Sequence, residues 1–245
     1  ELGSVLAHQL NQPLASAEGF AQGTIQRLDR GREDPEGVRY GLEQTMAQIR
    51  KVGEIVHGLR NFLRAGQPRL QDTDLNELIG GLVPTLGSGE EGKRCRIRLQ
   101  LAEDLPPLAV DPVLLRECLL NLVRNAVEAT LEAGDPEGPV EITTRPIEGG
   151  ERVEIAIRDR GPGLPEPLAD CLDQPLFTTK PEGTGLGLSI CRTVMEAHKG
   201  QLWATSNAPE PGTTFRISLP IPESGEEAQA LAVEPRALKD GELPG

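Results

Sequence analysis

At 245 residues the chain is long enough to bury a sizeable core and to hold one or two domains. Its formal net charge of -13 argues against a nucleic-acid binder, because a basic face supplies most of the affinity in that class; proteins or small molecules are the expected partners. No stretch approaches the ~18 consecutive apolar residues of a membrane span and no charged-then-apolar leader is present, so the expectation is a soluble, cytoplasmic piece without membrane contact of its own. It starts at Glu1 rather than Met, which reads as part of a longer protein. Cys95, Cys118, Cys171 and Cys191 are widely spread, without C-x-x-C spacing or neighbouring His clusters, and predict reduced thiols rather than a metal or disulfide framework.

Residues 2 to 30 carry Leu6, Leu10, Leu14, Ala17, Ala21 and Leu28 at helical spacing, and the pattern breaks at Gly31-Arg32-Glu33-Asp34-Pro35-Glu36. From there Val38, Leu42, Thr45, Ile49, Val52, Val56, Leu59 and Leu63 follow steps of four and three, a heptad seam with only Thr45 off type. Two helices joined by a short loop make an antiparallel hairpin, and one hairpin cannot cover its own apolar faces; two hairpins pairing into a four-helix bundle predict a homodimer. His8 lies about 200° around the helix from Leu6 and from Leu10 and so points away from the seam, toward solvent or a partner. Pro13, five residues on, implies a bend in the helix. His57 and His198 read as unremarkable, His198-Lys199-Gly200 as a helix end where cations suit the dipole.

A linker follows at residues 67–73, and Asp74 with Glu77 fits a capping box for a helix to about Leu82 or beyond. Arg96 to Leu101 alternates as a strand. Asp111-Pro112 starts a helix that runs to about Glu132 and stops at Gly134. On it Glu117, Asn121 and Asn125 form a polar stripe at i, i+4, i+8, opposite Leu115, Leu119, Leu122 and Ala126. Amides on a core helix must be hydrogen-bonded, and a ligand could satisfy them. Val140 to Thr144 and Val153 to Arg158 read as a strand hairpin across Glu148-Gly149-Gly150. It leads into Asp159-Arg160-Gly161-Pro162-Gly163, either a turn with a solvated Asp or an acceptor for the exocyclic amine of a flat ligand.

Residues 164 to 182 have no clear period and contain four prolines, the pattern of a lid. Gly183-Thr184-Gly185-Leu186-Gly187 then opens a helix over Leu186 to Ala197. Alternate glycines at a helix start are either a flexible turn or a cradle in which backbone N–H groups meet phosphate oxygens. Strands over Gln201 to Thr205 and Thr214 to Leu219 close the unit, and the acidic, apolar-poor stretch from Glu223 onward is expected to be disordered.

Taken in order, these motifs resemble the transmitter region of a bacterial sensor histidine kinase. His8-Gln9-Leu10-Asn11-Gln12-Pro13-Leu14 is similar to the phosphoacceptor box, and Asn121-Leu122-Val123-Arg124-Asn125-Ala126 to the asparagine box. Asp159-Arg160-Gly161-Pro162-Gly163 is similar to the first glycine box, Leu176-Phe177-Thr178-Thr179-Lys180 to the phenylalanine box, and Gly183 to Gly187 to the second glycine box. The resemblance implies an α+β chain: an all-α dimerisation and phosphotransfer hairpin over residues 1–66, then, after the linker, an α/β-sandwich ATP-binding domain over 74–222, with a tail over 223–245. Carried over, it makes His8 the phosphorylated nucleophile, Asp159 the acceptor for the adenine amine and Asn125 a Mg²⁺ ligand with Asn121 beside it. Gly161, Gly163, Thr178, Lys180, Gly183, Thr184, Gly185, Leu186 and Gly187 would line the nucleotide, Phe177 would anchor the lid and Thr213 would help to position the adenine. ATP and Mg²⁺ are the implied cofactors and a response-regulator receiver domain the implied partner.

The residue after the phosphoacceptor is an acid in the family, and here it is Gln9, which accepts a hydrogen bond but is no base. Either slow autophosphorylation is therefore expected or the chain is a substituted form of a Glu-bearing parent, and phosphatase chemistry at Gln9 and Gln12 stays open. The alternative is an ATP-binding dimeric scaffold with weak or no kinase activity.

Overall fold

The computed structural model describes residues 2–30, 34–87, 95–135, 138–163 and 186–222. The expected lid, the phenylalanine box with Phe177, Thr178 and Lys180, the glycine-box residues Gly183, Thr184 and Gly185, Cys171 and the acidic tail lie outside these residues.

Helix α1 spans Leu2–Asp29 and runs through Pro13 without interruption. Helix α2 spans Pro35–Ala65; Asp34 caps it by accepting from the Gly37 N–H at 2.9 Å, and Pro35 occupies the first turn, where no N–H is needed. The two helices pack against each other through an edge-to-face contact of Phe20 and Tyr40 with ring centroids 6.5 Å apart, and an exposed Arg27–Asp34 pair at 3.0 Å spans the turn. The heptad seam divides in two. Val38, Thr45, Val52 and Leu59 are half-buried, whereas Leu42, Ile49, Val56 and Leu63, seven residues apart, are 50 to 70% exposed. On α1, Leu14, Ile25 and Leu28 are uncovered as well.

The rest of the chain builds two sheets. Strand β1 (Gln71–Thr73) pairs antiparallel with β3 (Leu108–Val110). The five-stranded sheet has the order β2-β4-β5-β7-β6, formed by β2 (Ile97–Gln100), β4 (Val140–Ile147), β5 (Arg152–Arg158), β6 (Gln201–Ser206) and β7 (Thr213–Pro220). Only β2 and β4 run parallel. One face carries Val140, Ile142, Val153, Ile155, Ile157, Ile217 and Leu219, every one at most 1% exposed, and forms the core with helices α5 (Pro112–Glu132) and α6 (Leu186–Ala197). The result is an α/β sandwich layer attached to a pair of long helices.

Several expectations are corrected in detail. The helix over 74–82 breaks into α3 (Leu75–Gly80) and α4 (Val83–Gly87), because Gly80-Gly81 offers no side chain to continue it. The last three residues of the expected linker are strand β1, too short to show a period. Strand β4 continues to Ile147, past Pro146, before the glycine turn. The turn lies where expected, with Gly149 and Gly150 at positive φ.

The pair of helices meets the sandwich at two places. Gly58 of α2 faces the Ile190 side chain of α6, and Arg64 near the end of α2 reaches Asp111 at the start of α5. Among the described residues no helix is long and apolar enough to cross a membrane.

Candidate nucleotide site

The end of β5 sets the first part of the site. Asp159 is 2% exposed, and its Oδ1 accepts two backbone N–H bonds, from Gly161 at 2.8 Å and Thr213 at 2.9 Å. Its own N–H donates to the Thr213 carbonyl at 2.9 Å. The solvated-turn alternative is thereby excluded. Burial pushes this carboxyl above its ordinary range, and the hydrogen bonds from Thr213 and Gly161 only partly offset that. Both bonds fall on Oδ1, and among the described residues none falls on Oδ2.

Two residues not singled out in the sequence hold this geometry. Asn207 donates from Nδ2 to the Asp159 carbonyl at 3.0 Å and receives the Thr214 hydroxyl at 2.6 Å. Gly212 lies at φ 114°, and any Cβ there would run into the Asp159 carbonyl oxygen; both backbone angle and space demand glycine. The signal was present in the stretch Asn207-Ala208-Pro209-Glu210-Pro211-Gly212, but a turn composition does not say which carboxylate it supports.

Helix α5 supplies the second part. Asn121 and Asn125 are half-buried on one face, one turn apart, as is Glu117, while Leu115, Leu119, Leu122 and Ala126 are fully covered. Burial extends to Leu114, Cys118, Leu120, Val123 and Val127, because α6 packs on a second side of this helix. The Asp159 turn is tied to the same helix: the Arg160 N–H donates to Thr130 Oγ1 at 3.2 Å, and Gly161 packs against Ala129. Asp159 and the asparagine stripe therefore belong to one rigid unit. Gly163 follows at φ 87°.

The start of α6 supplies the third part. A Cβ on Gly187 would come within 2.5 Å of Asn121 Oδ1 and 2.6 Å of Nδ2, so the last glycine of the run leaves the room that Asn121 occupies. Leu186 begins the helix as expected. His8 and Gln9 lie on α1, Gln9 half-buried; Gln12 is exposed on the same helix. The His8 side chain and the seam-averted orientation expected for it lie outside the described residues.

His198 departs from the reading as an ordinary solvated side chain at a helix end. It is 5% exposed, its Nε2 accepts the Asp111 backbone N–H at 2.8 Å, and the ring proton on Nδ1 goes to the Val194 carbonyl at 2.6 Å. It links the end of α6 to the start of α5. Among the described residues no group of three His, Cys, Asp or Glu side chains could hold a metal ion. A Mg²⁺ ion that keeps most of its waters and takes oxygens from a nucleotide needs no such cluster, and the half-buried amide of Asn125 fits that donor set.

Residues 110–223 match the family described as histidine kinase-, DNA gyrase B- and HSP90-like ATPases. The C4-dicarboxylate transport sensor protein DctS of Rhodobacter capsulatus is 34% identical over 93% of this chain, which spans 34% of that protein's length. The catalytic domain of the histidine kinase ThkA is 34% identical, covering 62% of this chain and 95% of that one, with a TM-score of 0.53. ThkA in complex with the response regulator protein TrrA covers 90% of this chain and 61% of its own at 25% identity, with a TM-score of 0.68. With its asparagine stripe, buried Asp159 and glycine-led α6 in the order of that family, the chain belongs to the sensor histidine kinases, of which it carries the transmitter region.

Proposed function

We propose that this chain binds ATP between α5 and the start of α6, transfers its γ-phosphoryl group to His8, and passes it on to an Asp of a response-regulator receiver domain. The observation that carries the reading is Asp159: a buried carboxylate with one oxygen fixed by two backbone donors and the other left for a ligand donor. That oxygen accepts the adenine amino group. Gly161 and Gly163 follow Asp159 in the chain, and the Thr213 N–H holds the carboxylate through Oδ1. The resemblance assigns Phe177, Thr178, Lys180, Gly183, Thr184 and Gly185 to the nucleotide as well, and these lie outside the described residues. Asn125 would hold Mg²⁺ through its amide oxygen, and the ion would supply neutralisation of phosphate charge.

In the transfer step an imidazole nitrogen of His8 bonds to the γ-phosphorus while the bond to the bridging oxygen breaks. ADP leaves with that electron pair, and the imidazole N–H proton passes to solvent, because Gln9 cannot take it. Asn121 likewise accepts no proton and does not activate water, which favours transfer over hydrolysis. ThkA bound to TrrA supports a receiver domain as the acceptor of the second transfer.

Residues 1–66 act as the dimerisation and phosphotransfer unit, 67–73 as its connection, and 74–222 as the ATP-binding unit. The uncovered row Leu42, Ile49, Val56 and Leu63, with Leu14, Ile25 and Leu28, seats a second copy to complete a four-helix bundle.

Incubation with γ-labelled ATP and Mg²⁺ tests the reading. Acid-labile, alkali-stable label is expected on the wild type and absent from His8→Ala, and Gln9→Glu should raise its rate by about ten-fold or more by restoring a base. Nucleotide binding without label on either the wild type or Gln9→Glu would leave the ATP-binding scaffold.

A further inference from the structure

Cys191 occupies a place that packing alone does not require to be polarisable. It lies on α6, 1% exposed, facing α5, where it meets Cys118 and Asn121. Its S–H donates to the Cys118 carbonyl oxygen at 3.5 Å, and its sulfur accepts from Asn121 Nδ2 at 3.6 Å. Gly187 lies against the whole carboxamide, where a Cβ would come within 2.5 Å of Oδ1 and 2.6 Å of Nδ2.

A carboxamide has two unlike ends, and a half-turn about χ2 exchanges donor for acceptor at little cost unless a partner distinguishes them. Cys191 makes that distinction. Its thiol proton is directed to a backbone carbonyl, so only sulfur lone pairs face Asn121, and lone pairs attract an N–H and repel a carbonyl oxygen. We propose that Cys191 is a positioning residue for the phosphoryl-transfer step, fixing the Asn121 carboxamide with Nδ2 toward the sulfur and so leaving Oδ1 as its acceptor. The inference rests on the kinase reading above and adds a residue that contacts neither nucleotide nor His8. The Cys118 thiol is also a neighbour of Cys191; it is buried and pushed well up by desolvation and by its hydrogen bond to Cys191.

Cys191→Ala and Cys191→Ser separate positioning from packing, since serine keeps both donor and acceptor while alanine keeps neither. Alanine should lower the autophosphorylation rate at saturating ATP about five- to ten-fold, the worth of one oriented hydrogen bond, with KM for ATP within about two-fold of wild type. Serine should recover most of that rate, although it loses as much buried apolar character. The same change is read without activity in the ¹H–¹⁵N resonances of the Asn121 side-chain amide, whose sulfur-facing proton should shift in Cys191→Ala and stay close to wild type in Cys191→Ser. Rates of both variants falling together with their melting temperatures, or Asn121 resonances indifferent to either variant, would overturn the proposal. A wild type that carries no label while its Asn121 resonances respond as described would count against the kinase reading alone.

Discussion

Asp159→Asn should weaken ATP binding about 10- to 100-fold, the loss of a hydrogen bond to a charged acceptor, without lowering the melting temperature of the nucleotide-free protein. The reason is geometric. Gly161 and Thr213 both donate to one oxygen, so an asparagine must put its carbonyl there and its NH₂ where Oδ2 was. The adenine amine would then meet a donor instead of an acceptor. Stability moves the other way, because the substitution removes a charge that burial disfavours. The carboxyl's folded-state pKa is raised, so the stability of its neutral form is complete below the unfolded value of about 3.9 and is lost as pH rises through the folded value. At neutral pH the ionised group is a cost that Asp159→Asn removes. Calorimetric titration with ATP and a thermal melt of the same two proteins check both signs.

Asp111→Ala should destabilise the protein by about 3–5 kcal/mol, the largest effect expected of any single side chain outside the apolar core. Its carboxylate is fully covered and takes the N–H groups of Val113, Leu114 and Arg69 at 2.9–3.1 Å, with Arg64 Nη2 at 3.2 Å. One group therefore caps α5, fixes the segment entering β1 and binds the end of α2. Desolvation pushes its pKa up, but the bonds from Arg69 and Leu114 and the charge of Arg64 outweigh it, and the carboxyl sits below its usual range. Its sign is opposite to that of Asp159. The contribution of Asp111 is present above the unfolded value of about 3.9 and is lost as pH falls through the lower folded value. Arg64 is partly exposed, so Arg64→Gln should cost less, about 1–2 kcal/mol. Denaturant titrations at pH 7 and in the acid range give both numbers.

The long helices, the strands of the sandwich and the asparagine stripe were legible because each has a period or a punctuation mark: the heptad after Asp34-Pro35, the alternation in Val153 to Arg158, the cap at Asp111-Pro112. What the pattern could not carry was partnership. The heptad positions read alike in the sequence, yet one set of four is half-buried and the other uncovered, because only the first faces the hairpin's interior. Three-residue strands such as β1 and β3 have no period to detect, and they exist only because each pairs with the other. His198 sat beside a lysine at a helix end and read as an ordinary solvated side chain, while its neighbour in space is a backbone N–H 87 residues away in the chain. Within the site, Asp159 and Asn121 were found from their motifs. Asn207, Gly212 and Cys191, which hold them, are ordinary residues whose importance lies in the oxygen, carbonyl or amide that each one meets.

Locating the phosphoryl group is the measurement to make first. After incubation with ATP and Mg²⁺, the protein is digested at neutral pH and its peptides are analysed by mass spectrometry under conditions that keep phosphoramidates intact. Phosphate on the peptide that carries His8, and on neither of those carrying His57 and His198, is the expected result. ADP accumulating with no phosphorylated peptide, or phosphate on His57 with His8 unmodified, would contradict transfer from this site to His8.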